Sequence, residues 1–220
     1  MKYFIPESIP RRKRMILGPV ARKLIVIFNW KITGEFPEYK KMVLIAVPHT
    51  AMRDAWYALL AVLALDMKVN FFGAKWIFTR LPSFFTISKN LDKLGIPWPL
   101  GWLQNILLKR LGGIPVHREE NKGLIASVIE VFSDVDNFVL AIAIEGGGFT
   151  SKNNPEKFRS GFYYIAQGME IPYVPIAIDF ENREFRIMKP MFVASSFEAE
   201  SARIRDLFDG VVGATRTFTK

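Results

Sequence analysis

Two short apolar runs that enclose a longer one constrain this chain more than any other feature. Met42 to Val47 is uninterrupted and apolar, Asp54 to Leu65 is apolar on nearly all sides, and Lys68 to Phe72 returns to a short apolar pattern. Runs of five or six residues read as buried strands, while the one between them has helical length. The pattern therefore predicts a strand, a helix and a second strand, with the strands parallel and the crossover right-handed. It also says where to look for chemistry: the Val47 to Asp54 connection leaves the carboxyl end of a strand, where open α/β sheets hold their ligands.

The remaining chain extends this plan. From Arg80 to Gly101, Pro82, Pro97 and Pro99 interrupt an aromatic-rich stretch without a clear period, so an irregular excursion is expected, suited to a lid or a membrane-facing loop. After it come a helix over Trp102 to Leu111, a strand at Ile114 to Val116, a helix from about Glu119 to Phe132, and a strand from Phe138 to Ile144. A glycine-rich loop, Glu145 to Gly148, precedes a helix near Gly161 to Gln167, a strand at Tyr173 to Ile178, a β-return at Phe185 to Met188 and a last helix at Phe197 to Phe208. The expected fold class is α/β: one domain over residues 42–220, with a largely parallel central sheet covered by helices on both faces. No repeat or linker divides it.

Residues 1–41 read as a basic, amphipathic, membrane-associating segment. The cluster Arg11 to Arg14 is followed by Gly18-Pro19, and basic residues return at Arg22 and Lys23, which does not suit a secretory signal. From Leu17 onward Val20, Ala21, Leu24, Ile25 and Phe28 recur at helical spacing, which fits an interfacial helix or a surface helix packed on the domain. Composition points the same way. Lys and Arg number 30 against 21 Asp and Glu, for a net +9, and 19 residues are Phe. Basic charge favours an anionic partner, and the apolar, Phe-rich composition selects a membrane surface over nucleic acid, for which no recognisable module exists. The longest apolar run, Ala55 to Leu65, is 11 residues, short of the ~20 needed to span a bilayer. A peripheral or monotopic position on the cytoplasmic face of a membrane is expected. The absence of cysteine excludes thiolate chemistry, and two histidines make a zinc site improbable, so neither a metal nor a bound cofactor is expected.

The chemistry centres on VPHTAMRD, residues 47–54. On one continuous helix His49 and Asp54 would point ~140° apart, so a working pair requires His49 to lie in the loop before the helix and fold back. Imidazole accepts a hydroxyl proton near neutral pH, and a carboxylate on its other nitrogen fixes the tautomer and stabilises the imidazolium.

Three further stretches follow in order: GGIPVHR at 112–118, IEGGG at 144–148 and IPYVPI at 171–176. Together with His-x-x-x-x-Asp they resemble the four blocks of the lysophospholipid and glycerolipid acyltransferase family, the 1-acylglycerol-3-phosphate acyltransferases among them. The resemblance extends over roughly residues 42 to 180, and GWLQNILLKR and SGFYYIA look like the stretches that accompany those blocks. It implies that His49, oriented by Asp54, deprotonates a lysophospholipid hydroxyl that attacks the thioester of acyl-CoA or acyl carrier protein. It also gives Arg118 and Lys75 to the acceptor phosphate, and Glu145 with Gly146 to the shape of the acceptor site. A solvated basic surface is the plainer account of the two cations.

The chain departs from the family at two points. Gly147 and Gly148 stand where Thr-Arg usually follows Glu-Gly, removing a hydroxyl and a cation; Arg159, Lys157 or Lys152 are the candidates to replace the charge. His117 stands where Asp commonly precedes the motif arginine, and reads as a tolerated variation. A nucleotide loop and a serine-hydrolase elbow are both missing their residue patterns. The rival to an enzyme is a non-catalytic lipid-binding or scaffold protein of the same fold with a decayed acceptor site.

Overall fold

A computed structural model describes residues 5–12, 16–49, 52–81 (of Met52 the backbone only), 95–116, 123–145, 158–215 and 217–219. In chain order the elements are helix α1 (Leu17–Ile27), strands β1 (Lys31–Thr33) and β2 (Lys41–Val47), helix α2 (Met52–Ala64), strand β3 (Asn70–Ala74) and a 3-10 turn at Lys75–Phe78. Strands β4 (Arg80–Leu81) and β5 (Ile96–Pro97), helix α3 (Gly101–Arg110), strand β6 (Gly113–Val116), helix α4 (Leu124–Ser133) and strand β7 (Phe138–Ile142) follow. Helix α5 (Gly161–Gly168), strands β8 (Tyr173–Asp179) and β9 (Glu184–Ile187), and helix α6 (Phe197–Phe208) complete the series.

Seven strands form one sheet in the order β1-β9-β8-β2-β7-β3-β6. The five from β8 to β6 are parallel, β9 runs antiparallel to β8, and β1 pairs with β9 in parallel. Because strand side chains alternate, β2 feeds two cores at once. Val43, Ile45 and Val47 pack with Val128 of α4, Phe162 and Ile165 of α5, and Ile204 and Phe208 of α6. Met42 and Leu44 face Leu65, Met67 and Val69 on the other side, where Ala46 also meets the α1–α2 pair. Helices thus cover both faces, as the apolar strand runs require. Each fully buried large aliphatic or Phe side chain contributes ~1.5–3 kcal/mol to that arrangement.

Several expectations are corrected. Strand β3 begins at Asn70, because Lys68 donates its N–H to Pro10 O at 2.8 Å and Met67 bridges to Arg11, so the N-terminal segment takes up these backbone groups. β2 and β3 are parallel but not neighbours, since β7 lies between them. Strand β1 was not foreseen; three residues are too few to show a period, and the pairing Lys31↔Glu184 is non-local. The expected irregular stretch after Arg80 contains a two-stranded antiparallel ladder, Arg80↔Pro97 and Leu81↔Ile96, while residues 82–94 lie outside the described residues. Helix α4 starts after Gly123, whose φ of 90° is left-handed and not helical, and 117–122 lie outside the described residues.

Helix α1 packs on α2, with Ala21 and Ile25 buried against Leu60, Ala61 and Ala64. A Cβ at Gly18 would stand 2.6 Å from Asp66 Oδ1, so glycine permits the close approach. Arg22 donates to Asp66 Oδ2 at 3.0 Å and to Ala64 O at 2.9 Å, which ties this basic residue into the domain. Ile16, Val20, Lys23 and Ile27 recur on the opposite side of the helix and are exposed.

Candidate active site

The site is assembled where β2 and β7 end side by side. The Val47–Pro48 peptide is cis, and His49 occupies the loop before α2. Asp54 stands in the first turn of α2 and is wholly buried. The His49 ring turns back toward it, with Nδ1 3.9 Å from Asp54 Oδ2. That separation is longer than a hydrogen bond, and catalytic pairs commonly tighten only when substrate is bound. His49 keeps 14% of its side chain accessible, which leaves a route to the ring. Burial lowers the imidazole from its ordinary value and the Asp54 charge opposes this; lowering prevails, so the ring is neutral and able to accept a proton at neutral pH.

Glu145 is delivered by strand register. Ile45 of β2 pairs with Ile142, the last residue of β7, and both chains leave the sheet at this end, β2 into His49 and β7 into Glu145. The carboxylate accepts the backbone N–H of His49 at 2.6 Å, a short charge-assisted bond that holds the loop. The sequence offers Glu145 as a residue shaping the acceptor pocket; its contact with the His49 backbone was missed. That contact depends on which strand lies beside β2, and the chain between positions 49 and 145 carries no local sign of it.

The other expected residues are distributed as follows. Lys75 is exposed and opens the 3-10 turn directly after β3, at the carboxyl end of the parallel strands. Arg159 is exposed and donates its backbone N–H to Ile144 O at 2.7 Å, which brings it beside Glu145 although they are 14 positions apart in sequence. Arg118 and Gly146, together with His117, Gly147, Gly148, Lys152 and Lys157, lie outside the described residues. Two glycines of the GGIPVHR stretch do packing work: a Cβ at Gly112 (φ +105°) would stand 2.1 Å from Val69 O, and one at Gly113 would meet the Phe78 ring at 2.9 Å. Among the described residues no cluster of His, Cys, Asp or Glu could hold a metal ion.

The family model named Acyltransferase matches residues 99–179, a segment that carries Glu145 and Arg159 and leaves out His49 and Asp54. No curated protein sequence matches the chain. Among solved structures the chain is similar to the 1-acyl-sn-glycerophosphate (LPA) acyltransferase PlsC from Thermotoga maritima, with a TM-score of 0.50 and 13% identity over 87% of this chain and 74% of that one. At that identity the likeness speaks for a common fold. The chain is thus similar to the Acyltransferase family over residues 99–179, and similar in fold to that solved enzyme.

Proposed function

We propose that the chain transfers a fatty acyl group from acyl-CoA or acyl carrier protein to the free hydroxyl of a lysophospholipid such as lysophosphatidate, with His49 as general base and Asp54 as its orienting partner. The observation that carries this reading is the His49–Asp54 pair itself: a neutral imidazole 3.9 Å from a fully buried carboxylate, at the end of the central strand. The hydroxyl proton passes to His49 as the oxygen attacks the thioester carbonyl. The C–S bond then breaks, an oxygen ester remains, and the proton goes from His49 to the departing thiolate. Asp54 stabilises the imidazolium in between. Glu145 acts as a positioning residue through the His49 backbone, and Lys75, Arg118 and Arg159 supply positive charge for the acceptor phosphate. The family resemblance assigns Gly146, with Glu145, to the shape of the acceptor site.

The enzyme works at a membrane surface in this reading. Support comes from the exposed apolar residues Ile16, Val20 and Ile27 beside Lys23 on α1, and from Trp102, Leu103, Ile106 and Leu107 beside Lys109 and Arg110 on α3. Apolar stripes flanked by cations suit an interfacial helix. No helix among the described residues is long and apolar enough to cross a membrane.

The test is to incubate the purified protein with acyl-CoA or acyl carrier protein and a panel of lyso-lipids, and to identify products by mass spectrometry. Transfer to lysophosphatidate or another lysophospholipid supports the reading. Absence of thiol release from any donor, with or without a lyso-lipid, points to the non-catalytic alternative, and thiol release that does not depend on a lyso-lipid overturns acyl transfer to such an acceptor.

A further inference from the structure

A cavity of about 440 Å³ opens where the last turn of α1, the first turn of α2 and the turn after β8 meet. Arg53 and Arg183 line it together with Trp30, Tyr57 and Phe180. Arg53 directly precedes Asp54, and Phe180 directly follows the last residue of β8, so the cavity belongs to the same end of the sheet as His49. We propose that this cavity is a second phosphate-binding site, one that holds the phosphate of a bilayer phospholipid while the His49 centre handles the acceptor.

The two guanidinium groups make the case for an anion. Arg53 donates to Ala214 O, with its guanidinium carbon 5.2 Å from the centre of the Phe180 ring, and Arg183 donates to Phe28 O at 3.5 Å. Each thus meets one carbonyl oxygen, and among the described residues neither has a carboxylate partner. A guanidinium carries five N–H donors, so most remain available to the oxygens of a phosphate. Of the acidic residues near the two arginines in sequence, Asp54 faces His49 Nδ1 at 3.9 Å, and Glu184 is taken up by Thr33 at 2.6 Å and Arg186 at 3.2 Å. Glu181 is exposed to solvent, and Asp179 is taken up by Glu181 N and Asn182 N at 3.0 Å and by Arg186 at 3.4 Å. That turn also fixes Arg183, which sits at a φ of 49°. The cavity therefore presents two guanidinium groups that, among the described residues, are in no ion pair.

The rim identifies the source of the phosphate. Ile27 and Phe28 line the cavity and are 72% and 37% exposed, continuous with the apolar outer face of α1. A phosphate joined to acyl chains matches that juxtaposition of guanidinium pair and apolar helix. The aromatic wall does not favour a purine: Trp30 is 4% exposed and stacked on Tyr57 at 4.6 Å, and Arg53 covers a face of Phe180. The inference deepens the membrane-associated reading above, and its test needs neither turnover nor a bilayer.

Calorimetric titration of the full chain with dihexanoyl phosphatidylglycerol below its micelle concentration reads the site directly, with dihexanoylglycerol, inorganic phosphate and 3′,5′-ADP titrated alongside. The soluble phospholipid should bind most tightly, and Arg183→Gln or Arg53→Gln should each weaken it by roughly 10-fold or more, as expected for loss of a charged hydrogen bond. His49→Ala should leave this binding unchanged, so a failure of the catalytic reading and a failure of this site are separable. Thermal melting of each variant shows that the fold is retained, and Arg53→Lys, which keeps the charge, should recover part of the loss if Arg53→Gln melts early. Equal affinity for dihexanoylglycerol, or indifference to both arginine variants, overturns the site. Tighter binding of 3′,5′-ADP or inorganic phosphate than of the lipid, lost in Arg183→Gln, overturns the lipid source.

Discussion

Among the described residues two carboxylates are completely buried, and they meet their partners in different ways. Glu200 of α6 accepts the Tyr173 hydroxyl, the Ala194 N–H and the Arg203 guanidinium, the last at 3.1 Å. It sits by the amino end of β8, and its bonds lock α6 and the chain after β9 to the sheet. Asp54 stands at the carboxyl end, with the His49 Nδ1 3.9 Å away. The neighbouring groups respond accordingly. Burial, reinforced by Glu200, pushes the Tyr173 phenol far above its ordinary range, so its hydroxyl keeps its proton. Burial lowers His49 and Asp54 partly opposes it, which leaves a neutral imidazole, a proton acceptor, at neutral pH. Burial of an acid is therefore no mark of a site. What distinguishes the two ends is that Tyr173 donates a hydrogen bond to its acid and keeps its proton, whereas His49 stands as a neutral base beside its own.

The largest expected effect comes from breaking the His49 end. His49→Ala should reduce kcat by roughly 100 to 10,000-fold with an unchanged melting temperature, the usual contribution of a general base; a loss of only a few-fold would remove His49 from that role. Asp54→Asn should fall nearly as far, because the amide can hold the wrong imidazole tautomer.

Arg159→Ala should raise KM for lysophosphatidate roughly 10 to 150-fold with little change in kcat, if Arg159 replaces the cation lost at Gly147 and Gly148. A silent variant with lysophosphatidate still preferred would give the phosphate to Arg118 and Lys75 alone.

The Glu200 end should show the reverse pattern. Tyr173→Phe leaves a buried carboxylate short of one donor, so denaturant titration should read a loss of ~1–3 kcal/mol while kcat stays unchanged. A kinetic effect larger than the stability effect would contradict the comparison.

The smallest expected effect is in the pH profile. His49 must be neutral to act as base, so kcat/KM should rise with pH through an imidazole value below the ordinary one and then level off. Asp54 raises that value, so Asp54→Asn should move the acid limb of the residual activity to lower pH. A shift in the other direction would mean that Asp54 does not act on the ring by charge.

Local pattern made much of this legible. The apolar run at 42–47 became β2, and Phe197 to Phe208 became α6, whose first turn is capped by Ser196 Oγ accepting the Ala199 N–H at 3.2 Å. His49 in a loop ahead of the Asp54 helix was legible for the same reason, since Pro48 and the end of an apolar run both interrupt regular structure. Less legible were features that depend on distant chain. β1 exists because β9 lies beside it, and Arg22, counted among the residues facing a membrane, spends its charge on Asp66. Arg53 and Arg183 stand 130 positions apart, and nothing local in either suggested a shared cavity.

By itself the sequence determined the alternation of strand and helix, the burial of the central strands, and the residue types able to accept a proton or hold a phosphate. These follow from periodicity and side-chain chemistry, which act over a few neighbouring residues. Tertiary structure alone decided that β7 lies between β2 and β3, that Glu145 consequently grips the His49 backbone, and that Arg159 returns to Ile144 beside it. Strand order is set by how two faces of one sheet bury their apolar side chains at the same time, and that balance has no expression in any single stretch of chain.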